Sequence, residues 1–154
     1  SKSYYSNDLT TEPTDWTYEQ GTLPEGISYV WKWASPAYGM KATAYVAGTS
    51  YETHARAITP QIDLTSATKA TLTFDHAARF FSDFDNELKV QVSTDKKNWT
   101  TVGITEKPSG ADWKFVSTKA DLKAFCGKKI YIAFFYNSSS KAAATWEIKN
   151  LVVK

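Results

Sequence analysis

The sequence predicts an all-β fold, a sandwich of two antiparallel sheets. Short runs rich in Val, Ile, Thr and aromatic residues alternate with clusters of Gly, Pro, Asn, Asp and Ser, which is typical of sandwiches and barrels. Within these runs apolar residues recur at every second position, the period of a strand. The longest candidate for a helical period, residues 119–125, covers two turns at most.

The first four predicted strands cover residues 16–20, 29–33, 40–46 and 53–59. In the second of them, alternation places Tyr29, Trp31 and Trp33 on one face. The fourth ends before Pro60, because proline has no N–H to donate to a ladder. Residues 1–13 are predicted to be a polar leader, which leaves residues 14–154 as one domain.

The clearest strands lie in the second half of the chain and cover residues 70–81, 87–93, 99–104, 129–136 and 145–153. A turn over residues 93–98 joins two of them as a hairpin. The strand at 129–136 is apolar on both faces, which predicts a central position in its sheet. Its alternation assigns Ile130, Ile132 and Phe134 to the core and Tyr131 and Phe135 to the other face.

Composition and charge exclude several classes of protein. The net charge is +2 and the 18 basic residues are dispersed, so we expect no nucleic-acid partner. No apolar run approaches the roughly 20 residues that cross a bilayer, so direct membrane insertion is not expected. Cys126 is the sole cysteine. It cannot form an intramolecular disulfide and is interpreted as a small buried apolar residue.

The sequence predicts no catalytic site. It lacks the G-x-S-x-G, G-x-G-x-x-G, P-loop and H-E-x-x-H motifs that place nucleophiles, phosphates or metals. His76 shares its predicted face with Leu72 and Phe74, which favours a hydrogen-bonded core histidine over a general base. The acidic run at residues 83–87 is interpreted as a turn, because it lacks the glycine and distal glutamate of a calcium loop.

Several segments together resemble the choice-of-anchor J and cleaved-adhesin modules, which are similar to MAM domains and common in surface and secreted proteins of Bacteroidetes. Residues 38–45 and 57–65 carry the strand-and-turn signature of that family. The other matching segments, in the family's order, are residues 16–19, 73–77, 90–95 with Trp99, 131–135 and 146–153. The resemblance covers about residues 14–154. It implies a jelly-roll sandwich, a secreted or cell-surface location, membership of a larger multidomain protein, and adhesion or glycan binding.

The resemblance also implies a structural cation site. Glu19 matches an early acidic position that helps to hold a cation in related modules. The closing strand has Lys149 where the family often has an acidic residue, which places a positive charge near that site. A bound ion is expected to be calcium, held by oxygens of Glu19, Asp75 and Glu147.

Aromatic residues make up 15% of the chain, and two aromatic faces are candidate ligand sites. Exposed rings stack on sugars while nearby polar groups bind the hydroxyls. One candidate is the stripe that contains Trp31, for which a core position is the alternative. The other is a sheet face on which Ala133 is expected to leave a seat for one sugar ring. Its predicted ligand-binding residues are Arg56, Arg79, Phe81, Gln91, Tyr131 and Phe135.

The sequence therefore predicts a non-catalytic carbohydrate-binding or glycan-directed adhesion module of an exported bacterial protein, with a polysaccharide or glycan as its partner. The alternative is a structural or protein-interaction domain that packs beside an enzyme or adhesin domain, because such packing also accounts for aromatic residues on a sheet face.

Overall fold

The structure is a computed structural model that describes residues 2–154. Its first sheet contains β1 (Tyr5–Asn7), β3 (Trp31–Ser35), β4 (Gly39–Thr43), β9 (Thr71–Arg79), β12 (Val116–Asp121) and β14 (Thr145–Val153). Its second sheet contains β2 (Thr17–Glu19), β7 (Thr53–Ile58), β8 (Ile62–Asp63), β10 (Leu88–Ser93), β11 (Thr100–Val102) and β13 (Lys129–Ser138). A small hairpin is formed by β5 (Tyr45–Val46) and β6 (Thr49–Ser50), and the short helices are α1 (Phe84–Glu87) and a 3₁₀ turn (Lys123–Phe125). None of the helices in residues 2–154 has the length and apolar character needed to cross a membrane.

Each main sheet is antiparallel. The first has the order β12-β9-β14-β4-β3, with β1 also paired to β14, and the second has the order β11-β10-β13-β7-β2, with β8 also paired to β13. Strands β9 and β10 are consecutive in the chain but lie in different sheets, and α1 forms part of the crossing between them. The predicted sandwich of two antiparallel sheets is confirmed.

Aromatic side chains from both sheets form the centre of the core. Phe134 on β13 lies 5.1 Å from Phe74 and 5.9 Å from Trp146, measured between ring centroids. It therefore contacts two strands of the first sheet, β9 and β14. All three side chains are 1% exposed or less. Phe74 and Phe134 meet edge to face, an arrangement that aromatic quadrupoles favour.

His76 is a core histidine, as predicted. Its Nε2 donates a hydrogen bond to the carbonyl oxygen of Glu106 (2.9 Å), while its Nδ1 accepts one from the indole N–H of Trp146 (3.1 Å). The two bonds require the neutral ring, and burial lowers the pKa of His76 to about 4. A general base at neutral pH would need an accessible nitrogen. Both ring nitrogens of His76 are buried and already hydrogen-bonded.

The segment predicted as a polar leader contains a strand of the sandwich. Residues Tyr5–Asn7 pair with the closing strand β14, and Leu9 is completely buried. The indole N–H of Trp33 donates to the carbonyl oxygen of Leu9 (2.8 Å), and that of Trp16 donates to the Tyr5 hydroxyl (2.9 Å). A strand of three residues is too short for its alternation to be recognised in the sequence.

The region considered for a helix is instead an edge strand followed by a 3₁₀ turn. Strand β12 pairs with β9 over its whole length, and only Lys123–Phe125 are helical. Thr118 and Ala120 face the core while Lys119 and Asp121 are exposed. Because its buried side chains are small and partly polar, the strand carries little hydrophobic alternation.

Candidate functional site

Four of the predicted ligand-binding residues lie together on the outer face of the second sheet. Phe135 is directly opposite Arg56 on β7, and Gln91 on β10 is opposite Ala133. Tyr131 lies on the same face two residues before Ala133, as alternation predicts. We call Arg56, Gln91, Trp99 and Phe135 the ring cluster.

The ring cluster is held together by Arg56. Its Nε donates to Gln91 Oε1 (2.9 Å), and one terminal nitrogen lies 3.2 Å from Glu19 Oε1. The guanidinium carbon lies 4.5 Å from the centroid of Phe135 and 5.2 Å from that of Trp99. A planar cation between two rings is a favourable arrangement, and here it leaves the guanidinium largely occupied by the protein itself.

The expected sugar seat at Ala133 is closed. Ala133 has no exposed surface, and Gln91 is only 7% exposed. Lys96 from the β10–β11 turn lies over the Tyr131 ring at 4.6 Å from its centroid. Tyr131 and Phe135 are consequently half-buried under the protein's own side chains rather than presented as a platform.

The remaining predicted residues lie elsewhere. Arg79 and Phe81 belong to the segment around β9 in the first sheet, so the prediction that they share a sheet face with Arg56, Gln91, Tyr131 and Phe135 is wrong. The reason is the crossing between the sheets after β9. Trp31 is 2% exposed and donates its indole N–H to the carbonyl oxygen of Ala55 (3.2 Å), so it is a core residue and not part of a surface stripe.

A cleft lies where three loops meet at one end of the sandwich. It has a volume of about 500 Å³, and a second cleft of about 380 Å³ adjoins it through Lys141 and Ala142, which line both. We call the two together the loop-end groove. Its side chains come from three distant segments of the chain: Tyr45, Ser50, Glu52 and His54; Phe80, Asp83 and Asn86; and Asn137 and Lys141.

The larger cleft of the groove carries polar side chains that contact one another, of which His54 and Glu52 are 57% and 71% exposed. His54 Nδ1 lies 2.7 Å from Asn137 Oδ1, and its Nε2 lies 3.5 Å from a carboxylate oxygen of Glu52. The amide of Asn137 donates to the carbonyl oxygen of Asn86 (3.2 Å). Because His54 and Asn137 are cross-strand partners on β7 and β13, rigid strands and not loops set their positions.

The smaller of the two clefts is flanked by exposed aromatic rings. Phe80 follows directly after β9, has a φ of +68° and is 56% exposed. Its ring meets Trp113 edge to face at 6.0 Å, and the Arg79 guanidinium lies 4.8 Å from its centroid. A bulky residue in the left-handed region is strained, and such strain concentrates at functional sites.

Tyr45 forms the other aromatic wall and is 53% exposed. It begins the β5–β6 hairpin, whose two turn residues, Ala47 and Gly48, have φ values of +51° and +82°. Two positive φ angles are what a two-residue hairpin turn of type I′ requires. The hairpin therefore fixes Tyr45 at the edge of the groove.

Sequence alternation did not identify the loop-end groove. It placed Phe80 on the core face of the strand 70–81, because nothing in the pattern marks the left-handed residue at which the side chain turns outward. The one signal available was the pair Phe80–Phe81 beside the run 82–87, which is polar except for Phe84, because three aromatic residues are unusual in a simple turn.

The three carboxylates predicted to hold calcium do not converge. Glu19 lies on the outer side of the second sheet, where it pairs with Arg56, whereas Asp75 and Glu147 lie on β9 and β14 of the first sheet. Asp75 accepts a hydrogen bond from the Asn150 amide (2.7 Å). No group of three His, Cys, Asp or Glu side chains within residues 2–154 is arranged to bind a metal ion. The residues present do not fit the implied calcium site.

The chain shares its fold with the cleaved adhesin domains of Lys-gingipain from Porphyromonas gingivalis. Its TM-score is 0.65 against the K1 domain, at 19% identity over 97% of this chain and 96% of that one. Against K2 the TM-score is 0.66 at 18% identity (97% and 98% covered), and against K3 it is 0.66 at 15% identity (99% of both). No protein-family model and no curated protein matches the chain. The jelly-roll sandwich expected from the resemblance is confirmed.

Proposed function

We propose that this protein is a non-catalytic glycan-binding or glycan-directed adhesion module, and that the sugar binds in the loop-end groove. The observation that carries the proposal is Phe80, a strained aromatic residue held in solvent beside a polar cleft. An exposed ring in a left-handed backbone conformation costs stability, so its placement calls for a use other than packing.

The rings supply the apolar part of recognition. Phe80 and Tyr45 line the same cleft. Trp113 meets the Phe80 ring edge to face, and the Arg79 guanidinium lies over that ring. A sugar presents a flat face of C–H groups, which stacks on an aromatic ring and removes both from water. Ring positions fixed before binding reduce the entropy lost on association.

The polar side chains of the larger cleft supply orientation. This cleft is lined by Asn137, His54, Glu52 and Lys141, which together offer donors and acceptors for sugar hydroxyls. The β13–β14 loop is itself held by Ser139, whose hydroxyl accepts N–H bonds from Lys141 (3.2 Å) and Ala142 (3.0 Å). In an open groove of this kind we expect affinities on the order of micromolar to millimolar.

The fold comparison supports the same proposal, because the neighbours are named as adhesin domains. By that analogy the chain is an extracytoplasmic part of a larger secreted or surface protein. Fold alone does not assign a ligand, so the ligand class rests on the groove. As a binding module, the chain is expected to release bound glycans unchanged.

The first test is isothermal titration against a panel of plant and host polysaccharides. Phe80→Ala and Tyr45→Ala should each weaken binding of an uncharged polysaccharide by about tenfold, since stacking on one ring contributes roughly 1–1.5 kcal/mol. Tyr38→Ala is the matched control, because Tyr38 is 49% exposed but lies outside the groove. Binding that survives both groove substitutions, or a panel with no ligand at all, would argue against the proposal.

A further inference from the structure

We propose a second binding site, for saccharides that carry carboxylate or sulfate groups, on the outer face of the first sheet at β3 and β4. It shares no residue with the loop-end groove and does not depend on the function proposed for that groove. A shallow cleft of about 230 Å³ marks the place, and Tyr29, Lys32, Ala34, Lys41 and Thr43 are among the residues that line it.

The first observation is a pair of like charges in register. Lys32 on β3 is directly opposite Lys41 on β4, and both point away from the core because their neighbours Trp31 and Met40 are buried in it. Like charges in directly opposed positions destabilise a sheet. Within residues 2–154 neither ammonium group forms an ion pair, so neither is held by a direct carboxylate contact.

The surrounding charges add to the positive potential. Lys149 lies on the next strand, β14, where its ammonium donates to the Ala37 carbonyl oxygen (3.1 Å) and lies over the Phe115 ring. The acidic group that faces Lys41 is Glu147, which is only 3% exposed and whose pKa is raised by burial. A solvent-borne anion at the cleft therefore meets two exposed or half-exposed ammonium groups before it meets a carboxylate.

The second observation is the ring beside the charges. Tyr29 is 46% exposed, and the Lys32 ammonium lies 5.1 Å from its centroid. A ring for stacking next to two cations, with the Thr43 hydroxyl in the same cleft, suits a sugar ring that bears an acidic group. The net charge of the whole chain is only +2, which does not favour a long polyanion that is bound by charge alone.

The test uses ligand pairs that differ only in charge. Dextran sulfate should bind and dextran should not, which tests recognition of sulfate. Polygalacturonate should bind more tightly than its methyl ester, which tests recognition of carboxylate. The double variant Lys32→Glu/Lys41→Glu should lose about tenfold or more of the affinity, and about 0.5 M NaCl should weaken binding of the wild type, since exposed charges are screened by salt. Tyr29→Ala should weaken binding several-fold.

Three control variants make the result decisive. Lys119→Glu reverses a charge in a separate lysine-lined cleft on the same sheet face, and it should leave the affinity within about twofold because a screened distant charge has little effect. Phe80→Ala should also leave it unchanged, which separates this site from the loop-end groove. Lys32→Glu alone should keep or raise the melting temperature, because it converts a like-charge pair into an opposite one. Equal losses in Lys119→Glu and the double variant, or equally tight binding of a single-stranded oligonucleotide, would overturn the proposal.

Discussion

Phe80 is the residue at which stability and the proposed function conflict. Its backbone has a φ of +68°, yet its ring is 56% exposed, so little burial offsets the strain of a side chain in the left-handed region. Glycine adopts that conformation without the steric cost.

Phe80→Gly should therefore raise the free energy of unfolding by up to about 1 kcal/mol, the left-handed penalty less the extra entropy of glycine in the unfolded chain. The same substitution should weaken glycan binding as much as Phe80→Ala does. Urea denaturation and titration on one preparation measure both. A less stable Phe80→Gly protein would show that the ring serves packing and not recognition.

His76 gives the fold a defined sensitivity to acid. Burial lowers its pKa from the ordinary 6.5 to about 4, so between these values the unfolded chain binds a proton that the folded protein excludes. The stabilisation that comes from the neutral His76 ring is fully present above pH 6.5. It is lost as the pH falls towards 4, by about 3 kcal/mol at most.

The measurement is the free energy of unfolding from pH 4 to 7 in the wild type and in His76→Gln, which keeps a donor and an acceptor but does not titrate. We expect the difference between the two to grow with pH across this window. Comparison is needed because Glu147, whose pKa is raised by burial, contributes the opposite slope. Parallel curves for wild type and His76→Gln would refute this assignment.

At the level of elements, alternation predicted the central strands well and the edges poorly. The predicted strand 129–136 corresponds to β13, 87–93 to β10 and 145–153 to β14. Buried branched or aromatic residues recur at every second position in β10 and β13, and in β14 on either side of its bulge between Lys149 and Val152. Of the strands it missed, β1 lies beside β14 and β12 is an edge of the first sheet. Their hydrogen bonds are set by a partner strand, and their own sequences carry little of that information.

The strand β1 leads to a test of the N-terminal boundary. Leu9 follows it, is completely buried and accepts the indole hydrogen bond of Trp33 through its carbonyl oxygen. Leu9→Ala should therefore cost about 2–5 kcal/mol of stability, the range for truncation of a buried leucine. Thr10→Ala, one residue further and exposed, should change stability by less than about 1 kcal/mol. Thermal or urea denaturation measures both effects. An unchanged free energy of unfolding in Leu9→Ala would mean that residues 1–13 behave as the dispensable leader that the sequence suggested.

At the level of the whole molecule, the limit of sequence pattern is the assignment of strands to sheets. Alternation shows that Gln91 and Arg79 both point away from the core, but it cannot show that β9 and β10 lie in opposite sheets. The ring cluster was predicted in part because Arg56, Gln91 and Phe135 do share a face. The loop-end groove was missed because it joins residues 45–54, 80–87 and 137–142, which no local period connects.

The central claim is that glycan binds in the loop-end groove and not on the ring cluster. The most direct measurement is an NMR titration of the isotope-labelled protein with an oligosaccharide of the polysaccharide that binds best. Saturable chemical-shift changes should centre on His54, Phe80, Asn137 and Lys141. Changes centred instead on Arg56, Gln91, Tyr131 and Phe135, with the groove signals unmoved, would contradict the account.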